Sequence, residues 1–263
     1  MKRFLLILIV IPMLSAGQQE LNQTDSNGLK QGLWKRAYPN GRAMYEGVFE
    51  NDRPVGEWRR YHENGALKAI LVHSEISDSV SAQLFDIGGK PAAQGTYIKE
   101  LKTGKWTYFT DGRKVSEEEF VDGLKSGISR IYYPSGELLE ETEWMNGQKN
   151  GRYRAYYQSG KPFLECKYEN NLRNGFCVTY SPSGAMEVDA FYRNDLPHGE
   201  WKYYTENEEL WFTLKYDEGV LLNPEVLYWK ETKQLNELEI KGKSIADPEK
   251  FMHNPMEYLL KNQ

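Results

Sequence analysis

The sequence is poor in the residues and patterns that build most catalytic and metal sites. It has 2 cysteines and 4 histidines, and no histidine stands at metal-ligand spacing from another histidine or a cysteine. A nucleophile elbow, a phosphate-cradling glycine-rich loop and a zinc helix motif are all missing. The formal net charge of −5 leaves no basic stripe, which disfavours nucleic acid and strong membrane binding. We therefore expect no enzyme, no metal ligands and no cofactor.

The chain has one marked apolar run, at its N-terminus. Residues 4–14 are apolar, a basic Met1-Lys2-Arg3 precedes them, and small residues at 15–17 offer a cleavage site. This pattern predicts a signal peptide over residues 1–17, with an uncleaved anchor as the alternative. The protein is therefore expected to be exported to the periplasm, the outer envelope or the medium. Residues 18–31 are polar and are interpreted as a linker.

Aromatic residues and glycines recur in a pattern of 24 residues. Such self-similarity is the signature of a repeat array, which serves more often as a binding surface than as a catalytic site. Two worn copies begin at Val80 and Asn223, so that nine copies fill residues 32–246. The clearer copies open at Gly32, Gly56, Gly104, Gly127, Gly151, Gly175 and Gly199.

Each copy contains two short runs rich in aromatic and β-branched residues, separated by turn signals. Asn64-Gly65 and Asp111-Gly112 are examples, and such pairs tolerate the positive φ of tight hairpins. The sequence thus predicts an all-β protein, an elongated single-layer antiparallel β-meander of about nine hairpin repeats. Residues 247–263 break the period and are predicted to form a short C-terminal helical cap, with a partner-docking helix as the alternative.

A strand register follows from the charges. The position three after each opening glycine is paired with the acidic position fourteen after it, so that one row across the sheet alternates in sign. We interpret this row as a structural charge ladder, while a cation-binding row of carboxylates is the alternative. The ladder comprises Lys35, Glu46, Arg59, Glu117, Arg130, Glu141, Arg154, Glu165, Asp189 and Lys202.

The same register places a second row on the opposite face. There, tryptophans such as Trp58 and Trp106 alternate with smaller residues such as Gly95, and most aromatic residues are expected to pack. Cys177 takes a tryptophan position directly opposite Cys166. This indicates either a cross-strand disulfide, which export would permit, or two free thiols that act as small apolar fillers. On the ladder face, the candidate surface-binding rings are Tyr61, Tyr132, Tyr156 and Tyr180.

The pattern Gly-x-Trp-x-x-Tyr-Tyr-x-x-Gly, followed by Glu-x-x-Tyr-x-Asn-Gly, resembles the MORN repeat variant found in many bacterial proteins. Many of these proteins are labelled as antitoxins of toxin–antitoxin systems. The resemblance covers roughly residues 28–245. It implies an elongated sheet of stacked hairpins that binds proteins and, in eukaryotic relatives, membrane lipids.

We therefore expect an exported, non-catalytic scaffold whose partner is another protein. A cell-wall or glycan-binding module is one alternative, and it would use the four ladder-face tyrosines. The other alternative is an immunity protein for an exported toxin, because a cytoplasmic antitoxin would not need a signal peptide.

Overall fold

The computed structural model describes residues 20–244. The predicted signal peptide at residues 1–17 and the predicted cap at residues 247–263 lie outside this range. The chain divides into two compact units, unit 1 up to Lys114 and unit 2 from Val115 onward. Each unit is described by itself.

The strands of unit 1 form an antiparallel meander in which each strand pairs with the next. This arrangement confirms the predicted all-β meander for unit 1. Its strands are β1 (Gln23–Thr24), β2 (Lys30–Ala37), β3 (Ala43–Glu50), β4 (Arg53–Tyr61), β5 (Leu67–His73), β6 (Ser79–Phe85), β7 (Pro91–Ile98) and β8 (Leu101–Thr110).

The strands that follow continue the same topology. The two-residue strands β10 and β17 precede β11 and β18, so that β9 and β16 each pair with a short strand and a long one. The remaining neighbours pair in chain order. The strands are β9 (Arg113–Val121), β10 (Leu124–Lys125), β11 (Gly127–Tyr132), β12 (Leu138–Met145), β13 (Gln148–Tyr156), β14 (Pro162–Glu169), β15 (Leu172–Tyr180), β16 (Met186–Arg193), β17 (Leu196–Pro197), β18 (Gly199–Tyr204), β19 (Leu210–Asp217) and β20 (Val220–Leu221).

Some hairpin turns have positive φ at both central residues, as their sequence predicts, whereas at Asn64-Gly65 only Gly65 does, with φ of 90°. Asp111 and Gly112 have φ of 51° and 76°, and Asn146 and Gly147 have φ of 50° and 80°. Two consecutive residues with positive φ match the twist of the flanking strands, and Asn, Asp and Gly adopt this conformation at the least cost.

Two tryptophan rings of unit 1 lie over glycines and are buried. Trp106 is fully buried, and a Cβ added to Gly95 would lie within 2.6 Å of three atoms of its ring. Trp58 covers Gly47 in the same way. Each indole also donates to the backbone, Trp58 to the carbonyl of Val48 at 3.0 Å and Trp106 to that of Thr96 at 3.1 Å. A thin sheet thus buries large rings because the glycine beneath leaves room for them.

The prediction of a worn repeat copy from Asn223 is wrong. A helix, α1 (Glu225–Ser244), occupies this part of the chain, and the last strand ends at Leu221. The helical segment has no internal Asn-Gly turn, and it is rich in Glu, Lys and Leu, which favour helices. Pro224 just before the helix suits its first turn, where no N–H partner is needed.

A C-terminal helix is therefore present, but it lies before the segment for which it was predicted. It contacts β19 through Lys230, whose Nζ lies 5.2 Å from the ring centroids of both Trp211 and Phe212. Further along, Leu235, Leu238 and Ile240 are largely exposed. Within residues 20–244, the structure contains no helix with the length and apolar character of a membrane span.

Candidate functional site

The predicted charge ladder lies in one row of the sheet in each unit. The strand register places the two residues of every predicted pair directly opposite each other. These pairs are Lys35 and Glu46, Glu46 and Arg59, Glu117 and Arg130, Arg130 and Glu141, Glu141 and Arg154, Arg154 and Glu165, and Asp189 and Lys202. We call the side of the sheet that carries these residues the ladder face, and the opposite side the tryptophan face.

Ion pairs form between facing strands in several of the hairpins. The nitrogen-to-oxygen distances are 3.0 Å for Lys35 and Glu46 and 2.9 Å for Arg130 and Glu141. These side chains are partly exposed, so each pair contributes no more than about 1 kcal/mol. Lys35 first and Tyr61 second, both by hydrogen bonds, hold the pKa of Glu46 below its ordinary value. Because its carboxylates already face cations, the row has the arrangement of a register-setting ladder rather than of a cation site.

The four ladder-face tyrosines are half-buried. Tyr61 donates its hydroxyl hydrogen bond to Glu46, and Tyr132 donates to Glu117, both at 2.8 Å. Burial is the main cause that raises the pKa of Tyr180. Tyr156 is also half-buried, on the same face. These rings are part of the ladder's packing, which reduces the ring surface that they offer to a ligand.

The second aromatic residue of the Tyr-Tyr pairs has a role that sequence reasoning missed. Tyr133 donates its hydroxyl to the backbone carbonyl of Tyr156, and Tyr157 donates to that of Tyr180, both at 2.8 Å. Each bond joins a repeat to the next one. The doublet itself was the available signal, since its two rings leave the strand on opposite sides.

A row of cations over aromatic rings was also missed. The residue two before several opening glycines is Lys or Arg, and its charged group lies over rings of the tryptophan face. Lys149 is 5.1 Å from the centroid of Tyr153, Lys102 is 4.7 Å from Trp106, and Arg173 is 4.0 Å from Tyr192. Contacts of this kind stabilise a half-exposed site by roughly 0.5–2 kcal/mol. The repeated Lys at this position was the signal for them.

Cys166 and Cys177 form a disulfide. Both are buried, at 4% and 5% exposure, directly opposite each other on the tryptophan face. They occupy the two positions that Gly47 and Trp58 occupy in an earlier copy. A covalent link thus takes the place of a ring laid over a glycine.

The ladder face of unit 2 carries a groove where the repeat departs from its pattern. Val178 stands opposite Glu165, at the position where Arg130 and Arg154 stand in earlier copies. Beside it, Phe176 is 62% exposed and packs edge-on against Phe191, with ring centroids 5.1 Å apart. The groove has a volume of about 720 Å³, and we call it the unit 2 groove.

Charged side chains of both signs surround this apolar patch. Arg152 lies 3.4 Å from Glu165, and its backbone N–H donates to Glu143 at 2.9 Å. Glu169 accepts a hydrogen bond from Asn174 at 2.6 Å, and Lys167 completes the lining. An exposed ring with a polar rim can bury an apolar group of a partner while the rim pairs with polar groups around it.

A second groove lies on the tryptophan face of unit 1. Leu71 lines this groove and stands in place of the usual glycine, opposite Ala82, which occupies a tryptophan position and is buried at 1% exposure. The volume is about 680 Å³, and the lining includes Leu84 and His73. Burial, and then the positive charge of Arg60, lower the pKa of His73. We call this cavity the unit 1 groove.

One cluster of donor atoms could approach a metal ion. His198 Nδ1 lies 3.4 Å from an oxygen of Asp217 and 3.6 Å from one of Glu218. Glu218 is already paired with Arg193 at 2.8 Å, and both acids are largely exposed. The sequence pattern had not drawn attention to these three residues. They come together in the fold, where His198 lies between β17 and β18, Asp217 ends β19 and Glu218 is in the turn that follows.

Comparison with known proteins identifies the repeat. Four segments match the MORN repeat variant, at residues 54–73, 125–146, 149–170 and 197–218. They include the copies that open at Gly56, Gly127, Gly151 and Gly199. The chain therefore contains MORN-variant repeats. No curated protein matches it.

Among solved structures, three matches show very low similarity. A TarM mutant from S. aureus, in complex with Fondaparinux, alpha-GlcNAc-glycerol and UDP, is 10% identical over 54% of this chain and 19% of that chain, with a TM-score of 0.18. A second TarM structure is 11% identical over 56% and 20%, with a TM-score of 0.17. TcdB2-TccC3-TEV is 15% identical over 74% and 13%, with a TM-score of 0.19. This chain spans a fifth or less of each, and these likenesses carry no argument about function.

Proposed function

We propose that this array of MORN-variant repeats is an exported, non-catalytic scaffold that binds another protein through the unit 2 groove. The observation that carries the proposal is Phe176, a ring that is 62% exposed in the middle of a charged face. It lies where Val178 interrupts the ladder. An exposed ring within a polar rim offers apolar surface that a partner can bury.

The surroundings of Phe176 support a protein as the partner. Binding energy at protein interfaces concentrates in a few buried aromatic and arginine residues within a polar rim. Arg152 and the acids Glu143 and Glu169 provide such a rim around the ring. Because both signs of charge are present, a partner must match the pattern rather than the net charge, which favours specific recognition.

Two features support export and one supports a non-catalytic role. The N-terminal residues 1–17 have the pattern of a signal peptide, and a disulfide between Cys166 and Cys177 persists best in an oxidising compartment. The ladder acids face cations and the large rings are packed, so that the repeated side chains act as structural elements.

The test is affinity capture from the envelope fraction of the source cells, with residues 18–263 as bait and mass spectrometry as the readout. We expect the wild type to capture one protein in stoichiometric amount. The Phe176→Ala variant should bind that protein roughly 30-fold more weakly or worse, as expected for a hot-spot ring. Phe163→Ala is the matched control, because Phe163 is also exposed, at 43%, but does not line the groove.

Equal capture by wild type and Phe176→Ala would contradict the assignment of the groove. Capture of wall glycan without a stoichiometric protein would contradict the protein partner and favour the glycan-binding alternative. If the captured protein is an exported toxin, the scaffold acts as an immunity protein.

A further inference from the structure

The unit 1 groove lies beside a repeat copy that has lost its tryptophan. Leu71 of this part of the sheet lines the groove, whereas Ala82, in the tryptophan position, is buried at 1% exposure. Where the pattern is intact, Trp106 covers Gly95 and leaves no free space between them. In the worn copy, Ala82 and Leu71 occupy these two positions, and together they fill less volume above the sheet than an indole ring. The groove is a cavity of about 680 Å³, a size at which binding sites for small ligands are common.

The floor of the unit 1 groove is apolar. Leu71, Val80 and Leu84 come from the adjacent strands β5 and β6, and Tyr97 lies alongside on β7. Burial raises the pKa of Tyr97, so that its hydroxyl remains a hydrogen-bond donor. Apolar side chains of a ligand would gain roughly 25 cal/mol per Å² of surface removed from water on this floor.

Opposite charges stand at the two ends of the groove. At one end, Arg60 stands opposite Ala69, and Lys68 is the residue before Ala69. At the other end, Glu100 lies in the turn that follows β7. Among residues 20–244, neither of these two cations forms an ion pair. This contrasts with the ladder, in which cations are held by carboxylates.

The length of the groove follows from strand geometry. Along β4 it runs from Arg60 to Pro54, which corresponds to about 20 Å at 3.3 Å per residue. A ligand that satisfies both ends must therefore be extended, carry an anion at one end and offer a hydrogen-bond donor at the other. A hydrocarbon chain with one acidic group offers no donor to Glu100, whereas a peptide does.

We propose that the unit 1 groove binds an extended peptide that ends in a free carboxylate. The guanidinium of Arg60 takes the carboxylate, because the planar fork of arginine matches it with two parallel hydrogen bonds. Apolar side chains of the peptide lie on Leu71, Val80 and Leu84. The amino group or an N–H near the start of the peptide donates to Glu100. This site lies within unit 1, and its occupancy does not depend on the proposed function.

The test is calorimetric titration of the purified chain with the hexapeptide Ala-Leu-Val-Ala-Leu-Leu. The peptide is used once with a free carboxy terminus and once as the amide. We expect one site per chain and at least tenfold tighter binding of the acid. Arg60→Gln should bring the acid to the affinity of the amide. Arg36→Gln is the matched control, since Arg36 occupies the same repeat position one copy earlier and lies outside the groove.

A double variant, Leu71→Gly with Ala82→Trp, restores the glycine and tryptophan of the intact pattern. It should fill the groove and abolish binding, while circular dichroism shows an unchanged strand content. If this variant does not fold, the comparison of Arg60→Gln with Arg36→Gln decides alone. Equal binding of acid and amide, equal effects of the two arginine variants, or no binding of either peptide would overturn the proposal. Binding of decanoate in place of the peptide would also overturn it.

Discussion

The packing of Trp106 over Gly95 predicts what happens when one methyl group is added at position 95. A Cβ at position 95 would overlap the indole, since three ring atoms lie within 2.6 Å of where it would stand. Real Cβ contacts are much longer, so the ring must move. Trp106 is fully buried, and it also donates to the carbonyl of Thr96 at 3.1 Å, so that any movement costs both packing and a hydrogen bond.

We therefore expect Gly95→Ala to lower the free energy of unfolding by about 2–4 kcal/mol. Overpacking of a well-filled site costs roughly 1–3 kcal/mol, and the strained indole hydrogen bond adds about 1 kcal/mol. The measurement is urea unfolding followed by circular dichroism. Gly88→Ala is the control, because its Cβ would meet only the side-chain oxygen of Asp86, at 3.3 Å, and it should change stability by less than about 0.5 kcal/mol.

A double-mutant cycle tests the cause. Trp106→Ala alone should cost about 3–5 kcal/mol, because a buried ring is lost. In that background, Gly95→Ala should cost nothing or stabilise slightly, since no ring remains to be displaced. If Gly95→Ala costs the same with and without the tryptophan, or no more than Gly88→Ala, the account of ring over glycine is wrong.

Two further predictions concern the covalent link and the ladder. Reduction of the bond between Cys166 and Cys177, which are 11 residues apart, should lower the free energy of unfolding by roughly 2–4 kcal/mol. The double variant Cys166→Gly with Cys177→Trp should recover much of the lost free energy of unfolding, as measured by urea unfolding. No recovery would show that a tryptophan over a glycine cannot replace the disulfide. Because the pKa of Glu46 is lowered in the fold, its stabilisation is present above the ordinary glutamate pKa of 4.5 and is lost as pH falls through the lower, folded value. Glu46→Gln should thus flatten the stability profile below pH 4.5, and an unchanged acid slope would refute this role.

The strand register could be predicted because several copies of the repeat each give a separate test of it. A shift by one residue would move every side chain to the other face, and only one register opposes acids to bases in several copies at once. Glu141 between Arg130 and Arg154 is such a case, and the structure has this pairing. The position of Cys166 opposite Cys177 follows from the same register.

The helix α1 could not be separated from a worn copy by the period alone. Tyr228 and Glu237 fall in phase with the repeat by coincidence, since aromatic and acidic residues are common in this chain. Composition was the better guide, because a segment without turn signals and rich in helix formers favours a helix over two short strands. Pro224 at its start marks the change.

The two grooves lie where repeat copies depart from the pattern, whereas a repeat is recognised by the residues that its copies share. Ala82 in a tryptophan position was visible as a worn copy, but only the structure shows that a groove lined by Leu71 and Leu84 lies beside it. Likewise Val178 was visible as a missing ladder cation, whereas the 62% exposure of Phe176 beside it was not.

The sequence by itself determined the period, the strands, the two faces and the pairs across them. These follow from alternation along a strand and from turn residues, which act over short distances in the chain. Tertiary structure alone decided which rings are buried and which cations cover them. It also decided where Arg60 and Glu100 stand around a cavity. Such facts depend on volumes contributed by several neighbouring strands, and no single copy contains them.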